Sequence, residues 1–148
     1  MKIEIDKDLI IYKVKVDDDK IYIQDFGKVN AGFPSPAEDF VQNRLSLDER
    51  FLTHPETSYI VEVGGHSMER EYSINDILLI RSDLRPNHLD DVIVSVNKDK
   101  FTLKRFDIKA NKLIALNSKY NESVQLHEGD EVIILGVVTV QMRERRKS

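Results

Sequence analysis

From Ser58 to Val140 the chain is a succession of short β-rich runs, and this constrains the fold more than any other feature. "SYIVEV", "DILLI", "DVIVSV", "KFTLKRF", "KLIALN", "SVQL" and "EVIILGVVTV" follow one another. Turn-forming residues separate them, among them Gly64-Gly65, Asn75-Asp76, Asn97-Lys98-Asp99 and Gly129-Asp130. Runs of this length, rich in β-branched residues and bounded by Gly, Asn and Asp, read as strands of a compact, mainly β domain. Upstream, Leu9–Val16 and Ile21–Phe26 flank Asp17-Asp18-Asp19, and this pattern predicts a hairpin. Residues 27–34 carry two glycines and a proline and are expected to be extended. Ser35-Pro36-Ala37-Glu38 fits a capping box, with Phe40, Val41 and Leu45 on one face of the helix that follows. A second box, Ser46-Leu47-Asp48-Glu49, opens another short helix through Leu52.

The 148 residues suit one domain with a short appended arm. A net charge of -4 disfavours a general nucleic-acid binder, and the basic tail "RERRKS" reads as a solvated end. The chain has no cysteine, which excludes a disulfide framework, thiol catalysis and Cys-bound zinc. The first ten residues hold no long apolar run, so neither a signal peptide nor a membrane anchor is expected. "VIILGVVTV" is about half as long as a membrane helix needs and reads as a buried strand. Together these predict a soluble cytoplasmic protein.

No reaction is named by a single residue. His54, His66, His88 and His127 have no metal-ligand spacing, and no metal or cofactor is expected. "VGGHSM" is first of all a tight turn after a strand. It also places Ser67 in a glycine-softened bend, where successive backbone N–H groups can face a developing oxyanion. A serine hydroxyl needs a base. His66 is adjacent, but neighbours on an extended segment point to opposite sides. Lys104 shares a strand face with Thr102 and Phe106, whereas Phe101 and Leu103 line the other. Its stem could lie along the sheet with the ammonium in water. If buried instead, desolvation would lower its pKa and free a neutral amine to act as a base.

"AGFPSPAEDF", "GGHSMEREYSINDILLI" and "KFTLKRF", in this order, resemble the LexA/UmuD/phage-repressor family of self-cleaving Ser-Lys proteins, in particular its short UmuD-like form. The likeness runs from Ala31 to about Val140. It implies a LexA/UmuD-like β domain over residues 32–148, with short N-terminal helices. Residues 1–31 would form a cleavable arm. By position it implies that Ala31-Gly32 is the scissile bond, Ser67 the nucleophile and Lys104 the general base. The backbone amides of His66 and Ser67 would face the oxyanion. His66 stands where the family commonly has an acidic residue, and Asn75-Asp76 where it has Gly-Asp.

The 31 residues before that bond are too few for a helix-turn-helix domain, so sequence-specific DNA binding is not expected. The resemblance implies the SOS response. A RecA filament on single-stranded DNA would stimulate self-cleavage, and the trimmed homodimer would serve with UmuC in the translesion DNA polymerase V. Two alternatives stand beside it. One is a non-cleaving accessory module of the same fold. The other is a signal-peptidase-like Ser-Lys protease, which would need a membrane anchor.

Overall fold

A computed structural model of the chain describes residues 4–14, 22–24, 44–117, 119 and 122–145. The chain divides into two units, one of residues 1–14 with 56–148 and one of residues 15–55. In the second, β2 (Tyr22–Gln24) pairs antiparallel with β3 (Arg44–Ser46), and α1 (Leu47–Phe51) follows. Ser46 immediately precedes α1, as the second capping box anticipates. Leu45, expected on a helix, lies in β3, where Ile23 is its partner. The first capping box and the scissile pair Ala31-Gly32 lie outside the described residues.

The first unit is one antiparallel sheet. It comprises β1 (Leu9–Lys13), β4 (Ser58–Val63), β5 (Ile77–Arg81), β6 (Asp91–Val96), β7 (Thr102–Asp107), β8 (Lys112–Ile114), β9 (Val124–Gln125) and β10 (Val132–Met142). The strand order is β1-β4-β5-β10-β6-β7-β8-β9. The mainly β expectation therefore holds, and β4 and β6 coincide with "SYIVEV" and "DVIVSV". Among the described residues the expected hairpin partners, Leu9–Lys13 and Tyr22–Gln24, are not paired with each other. β1 pairs with β4, from Leu9 opposite Val63 to Lys13 opposite Tyr59, and β2 takes β3 instead. Local alternation could not choose between these partners. Leu9, 5% exposed, packs with Val61 and Val63, a contact distant in sequence.

β10 occupies the middle of the sheet because it is long enough to serve two neighbours. Its first half pairs with β6 and its second half with β5, with a register shift in each ladder. Gly136 sits at the crossing. A Cβ there would come within 2.6 Å of Ile80 and 2.7 Å of the Arg81 carbonyl, so only glycine lets the strands approach. Turn chemistry follows the sequence closely. Asn97 and Lys98 both have positive φ, which is what a tight hairpin between β6 and β7 requires. Asn75, at φ 75°, takes the left-handed conformation for which glycine is otherwise the usual choice.

Alternation along β6 and β7 splits the core in two. Ile93 and Leu103 join Leu9, Val61, Val63, Met68, Leu78, Ile80 and Phe101 in one cluster. Val92 and Val94 turn to the other face, with Leu113, Leu126 and Val137. Phe106 also packs on that second cluster, as its register predicts.

Candidate active site

Ser67 lies in the excursion between β4 and β5. Backbone bonds close the neck of this loop: Asn75 N–H donates to Val63 O at 2.7 Å, and Val63 N–H to Asp76 O at 3.0 Å. Met68 and Tyr72, both buried in the first cluster, pin the loop from inside. The Tyr72 hydroxyl donates to Asp91, which also receives Arg105 at 2.8 and 3.1 Å. Burial, and then Asp91, push the tyrosine pKa up, so this hydroxyl remains a donor. Ser67 is thus held at 6% exposure on a braced turn. Its Oγ donates to Met68 Sδ at 3.0 Å. His66 next to it is an exposed surface residue that pairs with Glu69.

Lys104 is placed by β7. It lies opposite Val92 in the ladder with β6, so its side chain belongs to the face of the second cluster. The snorkelling arrangement is not adopted: Lys104 is 5% exposed. Nζ donates to the Glu122 carbonyl oxygen at 2.8 Å. Desolvation by burial is the dominant influence and lowers the lysine pKa. Lys100 acts in the same direction, and Asp6 and Glu122 act against it. Lys104 and Thr102 line a cleft of about 190 Å³ whose apolar wall is Val94, Val96, Leu113 and Val124. Ser67 is not part of that lining.

The two groups are therefore both buried, but no hydrogen bond joins them. Ser67 Oγ is engaged by Met68 and Lys104 Nζ by Glu122. A short segment, residues 4–8, touches both the strand of Lys104 and the turn of Ser67. Asp6 N–H donates to Phe101 O and Phe101 N–H to Glu4 O, both at 2.8 Å, so residues 4–6 lie alongside the start of β7. Thr102 Oγ1 donates to Asp6 Oδ2 at 2.8 Å. Asp6 Oδ1 accepts from Asp8 N–H at 2.9 Å, turning the chain. Asp8 Oδ2 in turn accepts the Ser67 backbone N–H at 3.2 Å. The Asp-Lys-Asp spacing was the available signal, since such residues favour local side-chain-to-backbone turns. Nothing local announced that this turn would land on Ser67.

A second buried charge lies in the same loop region. Asp76 is fully buried and receives Arg143 at 2.8 Å through both Nε and a terminal nitrogen. Gln141 and the Ser73 amide also donate to it. Arg143, the first residue of the basic tail, is therefore not simply a solvated end. Among the described residues no group of three His, Asp or Glu side chains could hold a metal ion. Nor is any helix there long and apolar enough to cross a membrane.

A family model described as Peptidase S24-like matches residues 23–139. Protein MucA of Salmonella typhimurium is 30% identical over 119 residues, covering 79% of this chain and 81% of MucA. Protein ImpA of Salmonella typhimurium is 29% identical over 121 residues, covering 81% of this chain and 82% of ImpA. The LexA repressor of a Marinomonas strain is 26% identical over 134 residues, covering 85% of this chain and 61% of the repressor.

Proposed function

The chain belongs to the Peptidase S24-like family, and from that premise we propose that it is a self-cleaving serine endopeptidase whose dyad is Ser67 and Lys104. The observation that carries this reading is the buried Lys104. The residue is 5% exposed, and its Nζ meets a neutral carbonyl rather than a carboxylate at hydrogen-bond distance. A charge kept under those conditions is costly, and the neutral amine is favoured. A neutral amine beside an apolar cleft is the base that a serine nucleophile needs.

In the reaction, Ser67 Oγ leaves Met68 and transfers its proton to neutral Lys104 Nζ. Oγ bonds to the carbonyl carbon of Ala31, and the carbonyl electron pair moves onto oxygen, facing the amides of His66 and Ser67. Collapse breaks the Ala31–Gly32 bond, and protonated Lys104 gives its proton to the Gly32 nitrogen. Water then releases the acyl-enzyme, with the same lysine taking and returning a proton. Residues 1–31 would be lost and residues 32–148 retained.

The finer role is that of a UmuD-like SOS protein. Cleavage would be stimulated by a RecA filament on single-stranded DNA. The trimmed cytoplasmic homodimer would act with a UmuC-type polymerase, without reading DNA sequence itself. Strand pairing at a sheet edge is a physical route to such a dimer.

A second reading, a non-cleaving accessory module of the same fold, is favoured by one observation: Ser67 and Lys104 each have another hydrogen-bond partner. Incubation at alkaline pH separates the two. The intact chain should yield a fragment beginning at Gly32, identified by mass, and Ser67→Ala and Lys104→Ala should not. Appearance of that fragment from both variants eliminates this dyad, and its absence from wild type supports the accessory module. Addition of RecA, nucleotide and single-stranded DNA at neutral pH tests the activator.

A further inference from the structure

The Ser67 amide, which the proposed chemistry assigns to the oxyanion, already carries a negatively charged oxygen. That oxygen is Asp8 Oδ2, 3.2 Å away. The fit is close on the other side too. A Cβ built on Gly65 would lie 2.1 to 2.7 Å from three atoms of the Asp8 carboxyl group, so the space beside Gly65 is filled by this side chain. Asp8 is anchored from behind as well, because its carbonyl accepts the Gly64 N–H at 2.7 Å. Further back, Asp6 holds the same segment to Thr102, one of the two polar residues of β7 that line the Lys104 cleft. One short segment thus touches the serine turn with one carboxylate and the lysine strand with another.

We propose that Glu4–Asp8 is an autoinhibitory latch, with Asp8 the resting occupant of the oxyanion amide of Ser67. This deepens the Ser67/Lys104 reading and rests on it. A scissile carbonyl oxygen and the Asp8 carboxylate need the same N–H, so only one can be there. Release requires Asp8 to swing out of the pocket beside Gly65. The hydrogen bond lost is to a charged acceptor, which is stronger than one between neutral groups. The segment lies before residue 23, where the family match begins. Cleavage at Ala31-Gly32 would sever the covalent link between the latch and the body that carries Ser67, leaving the pairing of β1 with β4 to hold it.

The test uses the full chain. Spontaneous cleavage at alkaline pH is timed by mass spectrometry for wild type, Asp8→Ala and Asp8→Asn. Asp8→Ala should release the Gly32 fragment about tenfold faster or more, as expected for removing a hydrogen bond to a charged group. Asp8→Asn keeps the shape and an acceptor but drops the charge. It should give a smaller gain, and it serves if alanine loosens β1. In a Lys104→Ala background, where no cut occurs, hydrogen exchange at the Ser67 amide should speed up on adding Asp8→Ala, while the amides of β6 keep their protection. Equal or slower cleavage in both Asp8 variants, with β6 still protected, overturns the latch and leaves the dyad standing. An unchanged Ser67 exchange rate also overturns it. If all three chains remain uncut, the peptidase reading falls and the latch falls with it.

Discussion

Asp76 and Lys104 are both shielded from water, at 0% and 5% exposure, and the fold treats them in opposite ways. Asp76 is surrounded by donors: the Arg143 guanidinium through two bonds, the Gln141 amide and the Ser73 N–H. Its pKa is lowered to about 2, with the bonds from Arg143 the largest cause. The charge is completed, and the group is inert. Lys104 has a backbone carbonyl as its hydrogen-bond acceptor, and burial drives its pKa down. Here the charge is left incomplete, which is the condition that the proposed base requires. A buried ion with all its partners locks structure in place, whereas one short of partners stores the drive to give up its proton. The difference lies in what surrounds each residue, not in depth.

The contrast can be broken hardest at the reactive end. Ser67→Ala or Lys104→Ala should reduce self-cleavage at least about a thousandfold, read as the rate of appearance of the Gly32 fragment. At the inert end, Asp76→Ala breaks both bonds from Arg143 and leaves the Ser73 amide without its acceptor, while Gln141 keeps the Glu71 carbonyl. It should cost about 3 kcal/mol, measured by denaturant unfolding of an uncleavable Ser67→Ala chain. Smaller and opposite in sign is Lys104→Met, which replaces a buried amine with an apolar side chain of similar length. It should abolish cleavage yet raise stability by about 1 kcal/mol in the same assay. A loss of stability there would mean that the amine is a structural group like Asp76.

The pH profiles sharpen the comparison last. Lys104 titrates below its ordinary 10.5, so the neutral base accumulates as pH rises. Cleavage should therefore climb with pH and reach half its maximum below 10.5. Because its folded pKa is lowered, protonating Lys104 opposes folding, and its effect on stability improves as pH rises through that range. Asp76 behaves in the other direction. Its contribution is complete above its unfolded value near 3.8 and is lost as pH falls towards about 2. Asp76→Asn should flatten that acid limb in an unfolding titration, and Lys104→Met should flatten the alkaline one.

Much of this was legible along the chain because it depends on nearest neighbours. The β-rich runs "DVIVSV" and "SYIVEV", the Asn97-Lys98 turn and the start of a short helix at Leu47 each follow from a few consecutive residues, and each appears in place. Which face of β7 carries Lys104 was legible too, since period two sends Leu103 one way and Lys104 the other. The partner of β1 was not. Leu9-Ile10-Ile11 suits many neighbours, and burial against Val61 and Val63 made the choice. The same holds for Asp8, an ordinary turn acid in sequence, and for Arg143, an ordinary tail cation.

By itself, then, the sequence determined the strands, their turns, the side of the sheet on which the lysine sits and the family to which the motifs point. Only the tertiary structure decided that Lys104 is buried, that Asp76 is paired with a residue far along the chain, and that Asp8 rests on the Ser67 amide. The physical reason is one of range. Steric preference and alternation act between adjacent residues, whereas desolvation and charge pairing depend on what distant segments bring to the same few ångströms.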